Sequence, residues 1–169
     1  MLENSLVKAL RSMDKRAQLS HLAYAGTIKP PRQVKADPSI FLEYAPIERR
    51  YDIPYARQLD GKDGLANLDA NLEVFPASTA QVLEYWLDVS RFSGWKRPAK
   101  KLPWMPDVFR ADLKTYAARG IRHVTTFAVY IDADYLRLQG EPSAIREYGE
   151  GLRGRGADAP YHYWLRSSR

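Results

Sequence analysis

Apolar residues recur along this chain at two spacings, helical and alternating. Leu2, Leu6, Val7 and Leu10 fall at helical spacing, so the chain opens in an amphipathic helix. Residues 17 to 27, AQLSHLAYAGT, read as a short strand ending at Gly26, and Pro30-Pro31 begins a loop that cannot be helical. Residues 40 to 52, IFLEYAPIERRYD, give a second strand, with Ile40, Leu42 and Tyr44 on one side and Phe41, Glu43 and Ala45 on the other. Pro46 ends regular pairing, which puts Ile47, Glu48 and Arg49 at or just past the strand's C-terminal end.

After a polar loop with Gly61 and Gly64, Leu65, Leu68, Leu72 and Phe75 mark one face of a helix. Residues 81 to 90, QVLEYWLDVS, read as a buried third strand. A loop rich in tryptophan, proline and base leads to a helix opened by Pro106 and Asp107. Its apolar face is Phe109, Leu113 and Tyr116, and Gly120 closes it as a left-handed cap. Residues 121 to 132, IRHVTTFAVYID, form a β-branched strand, and Pro142 opens a last helix with Ile145, Tyr148 and Leu152 in register. Residues 153–169, Gly- and Arg-rich before an aromatic patch, stay unassigned.

Near-continuous apolar strands separated by long connections are the pattern of a parallel α/β sheet. Four such strands are half of a (β/α)8 barrel of the TIM type, whose complete form runs to about 250 residues. With four strands, either roughly half of such a barrel is missing or the chain forms a smaller open sheet, followed by the tail.

Composition narrows the function classes. The chain has 169 residues and no cysteine, which leaves room for a core but excludes a disulfide frame, a thiolate metal site and a cysteine nucleophile. The formal charge of +6 permits nucleic-acid contact. The bases are scattered, however, and no RNA- or DNA-reading motif accompanies them, so nucleic acid is not the expected partner. No run approaches the ~20 apolar residues of a membrane span, and the first helix lacks a signal peptide's apolar region. As it stands the chain reads as cytoplasmic, with export of a longer protein left open. His21, His123 and His162 lack metal-ligand spacing, so no metal is expected. No GxGxxG, P-loop or GxSxG is present, and no cofactor is expected either.

The third strand carries the candidate chemistry. Alternation puts Val82, Glu84, Trp86 and Asp88 on one side, with the carboxylates facing the barrel interior. A carboxylate inside a buried strand is costly unless something polar meets it. Ligands of α/β sheets bind at the C-terminal strand ends. Glu48 lies at such an end, and neighbouring strands are ~4.8 Å apart, so Glu48 and Glu84 could share one pocket if their strands are adjacent. Paired carboxylates perform glycoside hydrolysis, one protonating the leaving oxygen and the other activating water or attacking the sugar. Trp86, Tyr44, Trp95 and Trp104 offer aromatic faces for sugar rings, and Arg49 a partner for a sugar acid. The alternative is structural: Glu84 pairs with Arg49 or His123 inside the fold.

Two segments carry a resemblance. YAPIERR resembles the YGPID segment of family 67 α-glucuronidases, inverting (β/α)8 glycosidases, and LEYWLD resembles that family's QEYLG segment. The order LAYAGTIKPP, FLEYAPIERRYD, VLEYWLDVSRF, ARG before IRHVTTFA, then DADYLRLQGEP, is similar to the bacterial domain-of-unknown-function family 4838 over about residues 2 to 152. The resemblance implies that residues 2–152 are the C-terminal half of such a barrel, with catalytic roles for Glu48 and Glu84. On the reading of the residues themselves, Tyr24, Arg49, Tyr51, Trp86, Asp88 and Trp95 would line the sugar site. The first carboxylate is Glu here where the glucuronidases have Asp. The family's acid comes from an earlier strand, which implies that this chain carries strands five to eight.

The expected function is therefore a fragment of a glycoside-hydrolase-like, carbohydrate-active domain. Its expected partners are a carbohydrate, uronic-acid-containing by this resemblance, and either the N-terminal barrel half or a homo-oligomeric mate. The alternative is a carbohydrate-binding domain that keeps the pocket without hydrolysis.

Overall fold

Residues that alternate in polarity and favour extended backbone set four strands. The computed structural model describes residues 2–58 and 64–153. In chain order it contains α1 (Leu2–Met13), β1 (Leu19–Tyr24), β2 (Ile40–Ala45), α2 (Leu65–Leu72), β3 (Gln81–Glu84), α3 (Val89–Phe92), α4 (Pro106–Ala118), β4 (His123–Thr126), α5 (Ala133–Gln139) and α6 (Ser143–Leu152). The strands form one sheet in the sequential order β1-β2-β3-β4, all parallel, so the class and the strand direction expected from the sequence hold. Pairing runs Leu19↔Ile40 through Tyr24↔Ala45, and Tyr44 sits opposite Val82.

The chain divides into two compact units. The first takes in the chain up to Arg49 with Gln58–Leu83 and Arg119–Thr125; the second takes in Arg50–Arg57, Glu84–Ala118 and the chain from Thr126.

In the first unit the sheet has two unlike faces. By the register Ala23, Leu42, Tyr44 and Val82 lie on one side and are buried, as is Val124 of β4. Helices cover that side: His21 Nδ1 lies 2.9 Å from a Glu3 carboxylate oxygen of α1, its ring stacks on Phe75 at 5.0 Å, and Tyr44 donates its hydroxyl to the Gly64 carbonyl at the start of α2. The other side carries Leu22, Tyr24, Phe41, Glu43, Gln81 and Leu83, none of them buried. In α1, the amphipathic helix expected from the spacing, only Val7 is buried, while Leu2, Leu6 and Leu10 are exposed.

The second unit packs around aromatic rings. Phe109 of α4 meets Trp86 edge-on at 5.1 Å, with Trp104 at 5.1 Å and Tyr148 at 5.7 Å. A Cβ on Gly151 would come 2.5 Å from the Phe109 ring, so glycine is what lets α6 approach α4 there. Beside this lies a cluster of Leu87, Val89, Leu102 and Tyr135.

Three expectations need correction. The third strand ends at Glu84 rather than running to residue 90. Asp88 accepts the Arg91 backbone N–H and the Ser90 hydroxyl, so it caps α3 and side-chain capping wins over strand pairing. The fourth strand is His123–Thr126 alone; Asp132 accepts the Tyr135 N–H at 3.0 Å and starts a helix, α5, that the strand reading hid. In α6 the buried side chain is Ala144, and Ile145 is exposed. The unassigned tail, except Arg153, lies outside the described residues.

Candidate functional site

The parallel register brings the C-terminal ends of β1 and β2 side by side, Tyr24 opposite Ala45. Thr27 holds the turn after β1, accepting the Tyr24 N–H and donating to the Tyr24 carbonyl at 2.9 Å, which leaves the Tyr24 ring exposed. After β2, Pro46 breaks the ladder and Ile47 N–H bonds back to the Ala45 carbonyl at 3.0 Å. Glu48 follows in this turn and is exposed, whereas Arg49 is buried. The expectation that these residues sit just past the strand end holds.

Glu84, in the second unit, has no exposed surface. It ends β3 on the same side of the strand as Val82, which is the helix-covered side, so the expectation that it faces an open interior is wrong. Its carboxylate accepts the hydroxyl of Tyr116 from α4, a charge-assisted bond that meets the need for a polar partner. Tyr148 senses the same charge: burial, and then the Glu84 carboxylate, push its phenol up to about 12.

The sign of that shift gives a pH prediction. Below pH 10 the phenol is protonated in both states and contributes no pH dependence. Between pH 10 and about 12 only the unfolded chain releases the proton, so stability falls as pH rises through that window. Urea midpoints on either side of pH 10 should fall less for Tyr148→Phe than for the parent chain; equal losses would refute the assignment.

Trp86, named as a sugar-facing aromatic, is buried and donates its indole N–H to Asp112 at 3.0 Å. The other Asp112 oxygen accepts the Tyr55 backbone N–H at 2.7 Å. Asp88 is the α3 cap and does not share a strand face with Glu84. Tyr51 is buried, edge-on to Phe92 at 6.0 Å, with the Arg91 guanidinium 4.8 Å from its ring centre. Trp95 is the exception: it is 66% exposed and holds a left-handed backbone at φ 56°. Of the eight residues singled out, Tyr24, Glu48 and Trp95 are on the surface and the other five are enclosed.

No family model, curated protein or solved structure matches the chain.

Among the described residues no group of three or more His, Cys, Asp or Glu side chains converges as a metal site would require. No described helix is long and apolar enough to cross a membrane. The second unit has a groove of about 290 Å³ between Arg97, Pro98 and Ala99 on one side and Tyr135, Arg137 and Leu138 on the other. Its guanidinium groups already meet acids, Arg97 with Asp132 at 2.7 Å and Arg137 with Asp134 at 2.8 Å. The bond from Arg97 holds the Asp132 carboxyl below the usual range.

Sequence reasoning missed Asp112 and the role of Tyr116. The signal was present: Asp112 is three residues from Phe109 and four from Tyr116, a carboxylate on the apolar face of a helix. A carboxylate there needs a buried donor, as Glu84 does.

Proposed function

We propose that the chain is the C-terminal half of a glycoside-hydrolase-like (β/α)8 barrel and that it binds carbohydrate at the C-terminal ends of its strands. The observation that supports this is the pairing in the first unit of an exposed aromatic ring, Tyr24, with an exposed carboxylate, Glu48, at the ends of adjacent parallel strands. Ring faces stack on sugar, and a carboxylate accepts bonds from sugar hydroxyls. The strand-end position is where ligands of such sheets bind.

Binding is favoured over hydrolysis because the second carboxylate, Glu84, is enclosed and bonded to Tyr116. A group in that position does not reach a glycosidic oxygen or an attacking water. The resemblance of YAPIERR and LEYWLD to segments of family 67 glucuronidases, and of the wider order to family 4838, is the sequence ground for the barrel and the carbohydrate class.

The test pairs calorimetric titration of neutral and uronic-acid oligosaccharides with hydrolysis of aryl glycosides. Binding should weaken about 10- to 100-fold in Glu48→Gln, the loss of one charge-assisted hydrogen bond. Tyr24→Ala should weaken it too, with no turnover in any variant. Turnover abolished by Glu84→Gln would replace the binding reading with hydrolysis, and absence of any sugar binding would remove both.

A further inference from the structure

The loop between α3 and α4 holds one large side chain in solvent. Trp95 is 66% exposed, and its backbone is left-handed at φ 56°, directly after Gly94 at φ 62°. A left-handed backbone is unfavourable for a bulky residue, and an exposed indole gains little from burial. Packing therefore does not account for a tryptophan here. The loop nonetheless fixes its place. The Trp95 N–H bonds the Ser90 carbonyl at 2.7 Å, the Gly94 N–H bonds the Arg91 carbonyl at 3.0 Å, and the Ser93 hydroxyl accepts the Lys100 N–H at 2.9 Å. That last bond ties residues 93 and 100 together, so the side chains between them are presented from one small, ordered loop.

What the loop carries besides the indole is positive charge. Residues 95–101 contain four bases and no acid. Lys96, Lys100 and Lys101 are exposed, and among the described residues none of the three has a carboxylate partner. Arg97 lines one wall of the 290 Å³ groove and Arg137 the other, so folding brings a base of α5 to the loop. Each of these two guanidinium groups meets one acid, Asp132 or Asp134, while staying open to solvent. Five cations against two acids leave this surface positive. Along the sequence the bases are scattered, which argued against nucleic acid; around this loop the fold gathers them.

We propose that this loop binds single-stranded nucleic acid, with a base stacked on Trp95 and the phosphates met by Lys96, Lys100, Lys101 and the two arginines. Ring and charge select the occupant together. A polyphosphate matches the cations but gives the indole no flat partner, and a neutral sugar does the reverse. A nucleic-acid strand supplies a π-face and a negative charge in every unit. A duplex keeps its bases stacked inside, so the single strand is the form that fits an exposed ring. The loop belongs to the second unit, and the inference does not rest on the carbohydrate reading of the first.

Fluorescence anisotropy of a labelled oligothymidylate of about 20 nucleotides, longer than a typical single-strand site, tests this on the whole chain. Affinity should fall as salt rises, with a log–log slope of about −0.7 for each phosphate neutralised. The triple variant Lys96→Ala, Lys100→Ala, Lys101→Ala should make that slope shallower by about 2. Trp95→Gly removes the ring and puts at φ 56° the residue best suited to it. Its thermal unfolding should be unchanged or later, and its affinity about 10-fold lower or more. Absence of binding at low salt would overturn the inference, as would a salt slope that the lysine variant does not change. Binding that Trp95→Gly leaves intact would overturn it too, since charge alone would then suffice, and so would a duplex of the same length bound equally well. Tighter binding of polygalacturonate through the same residues would replace nucleic acid with an acidic glycan.

Discussion

Asp112→Ala is expected to lower the unfolding free energy by about 4 kcal/mol, the largest loss of any single substitution considered. Asp112 has no exposed surface, and its two carboxylate oxygens accept from the Tyr55 backbone N–H and the Trp86 indole N–H. Alanine removes the acceptor that both enclosed donors use, and an enclosed donor that loses its bond costs about 1–3 kcal/mol. The Trp86 ring also loses the bond that fixes it against Phe109. Asp112→Asn keeps the volume and one acceptor oxygen but turns an amide NH2 towards the other donor, so its loss should be intermediate. Urea unfolding followed by tryptophan fluorescence measures all three chains. A loss under about 1 kcal/mol for alanine would mean that water replaces the carboxylate and that the network does not hold the fold.

The second large effect is expected at Glu84. Glu84→Ala removes the acceptor of the Tyr116 hydroxyl and leaves a hole at a position with no exposed surface, for a loss of about 3 kcal/mol. Glu84→Gln keeps an acceptor oxygen and should cost about a third of that. Tyr116→Phe removes the donor instead, and the double variant should lose less than the two single losses together because they share one bond. A further readout separates this from nonspecific damage. Without the Glu84 charge, the Tyr148 phenol loses one of the two causes holding it near 12 and should ionise at lower pH. Additive losses, or an unmoved Tyr148, would contradict the cluster.

The sequence made the scaffold legible because its strongest signals are local. Pro46 ended β2, Pro106 opened α4, Gly120 closed it with φ 80°, and Phe109, Leu113 and Tyr116 all became core. The errors arose where a polar side chain bonds its own backbone. Asp88 and Asp132 sit inside runs of apolar, β-prone residues, and periodicity outweighed the capping chemistry that ends each strand. For the site, strand-end position was readable but depth was not. Alternation showed that Glu84 needed a partner; that the partner is Tyr116, and that Trp86 bonds Asp112 rather than facing a sugar, are properties of packing against a helix some thirty residues later. The exposure of Leu2, Leu6 and Leu10 runs against the usual reading of a helical apolar stripe, since spacing sets which residues share a helix face but not what covers it.

The close approach at Gly151 has a consequence for which substitutions the second unit accepts. A Cβ there would come 2.5 Å from the Phe109 ring, so even alanine pushes α6 away from α4. Phe109 touches Trp86, Trp104 and Tyr148, so a change at this one position is felt at three other aromatic positions, two of them far earlier in the chain.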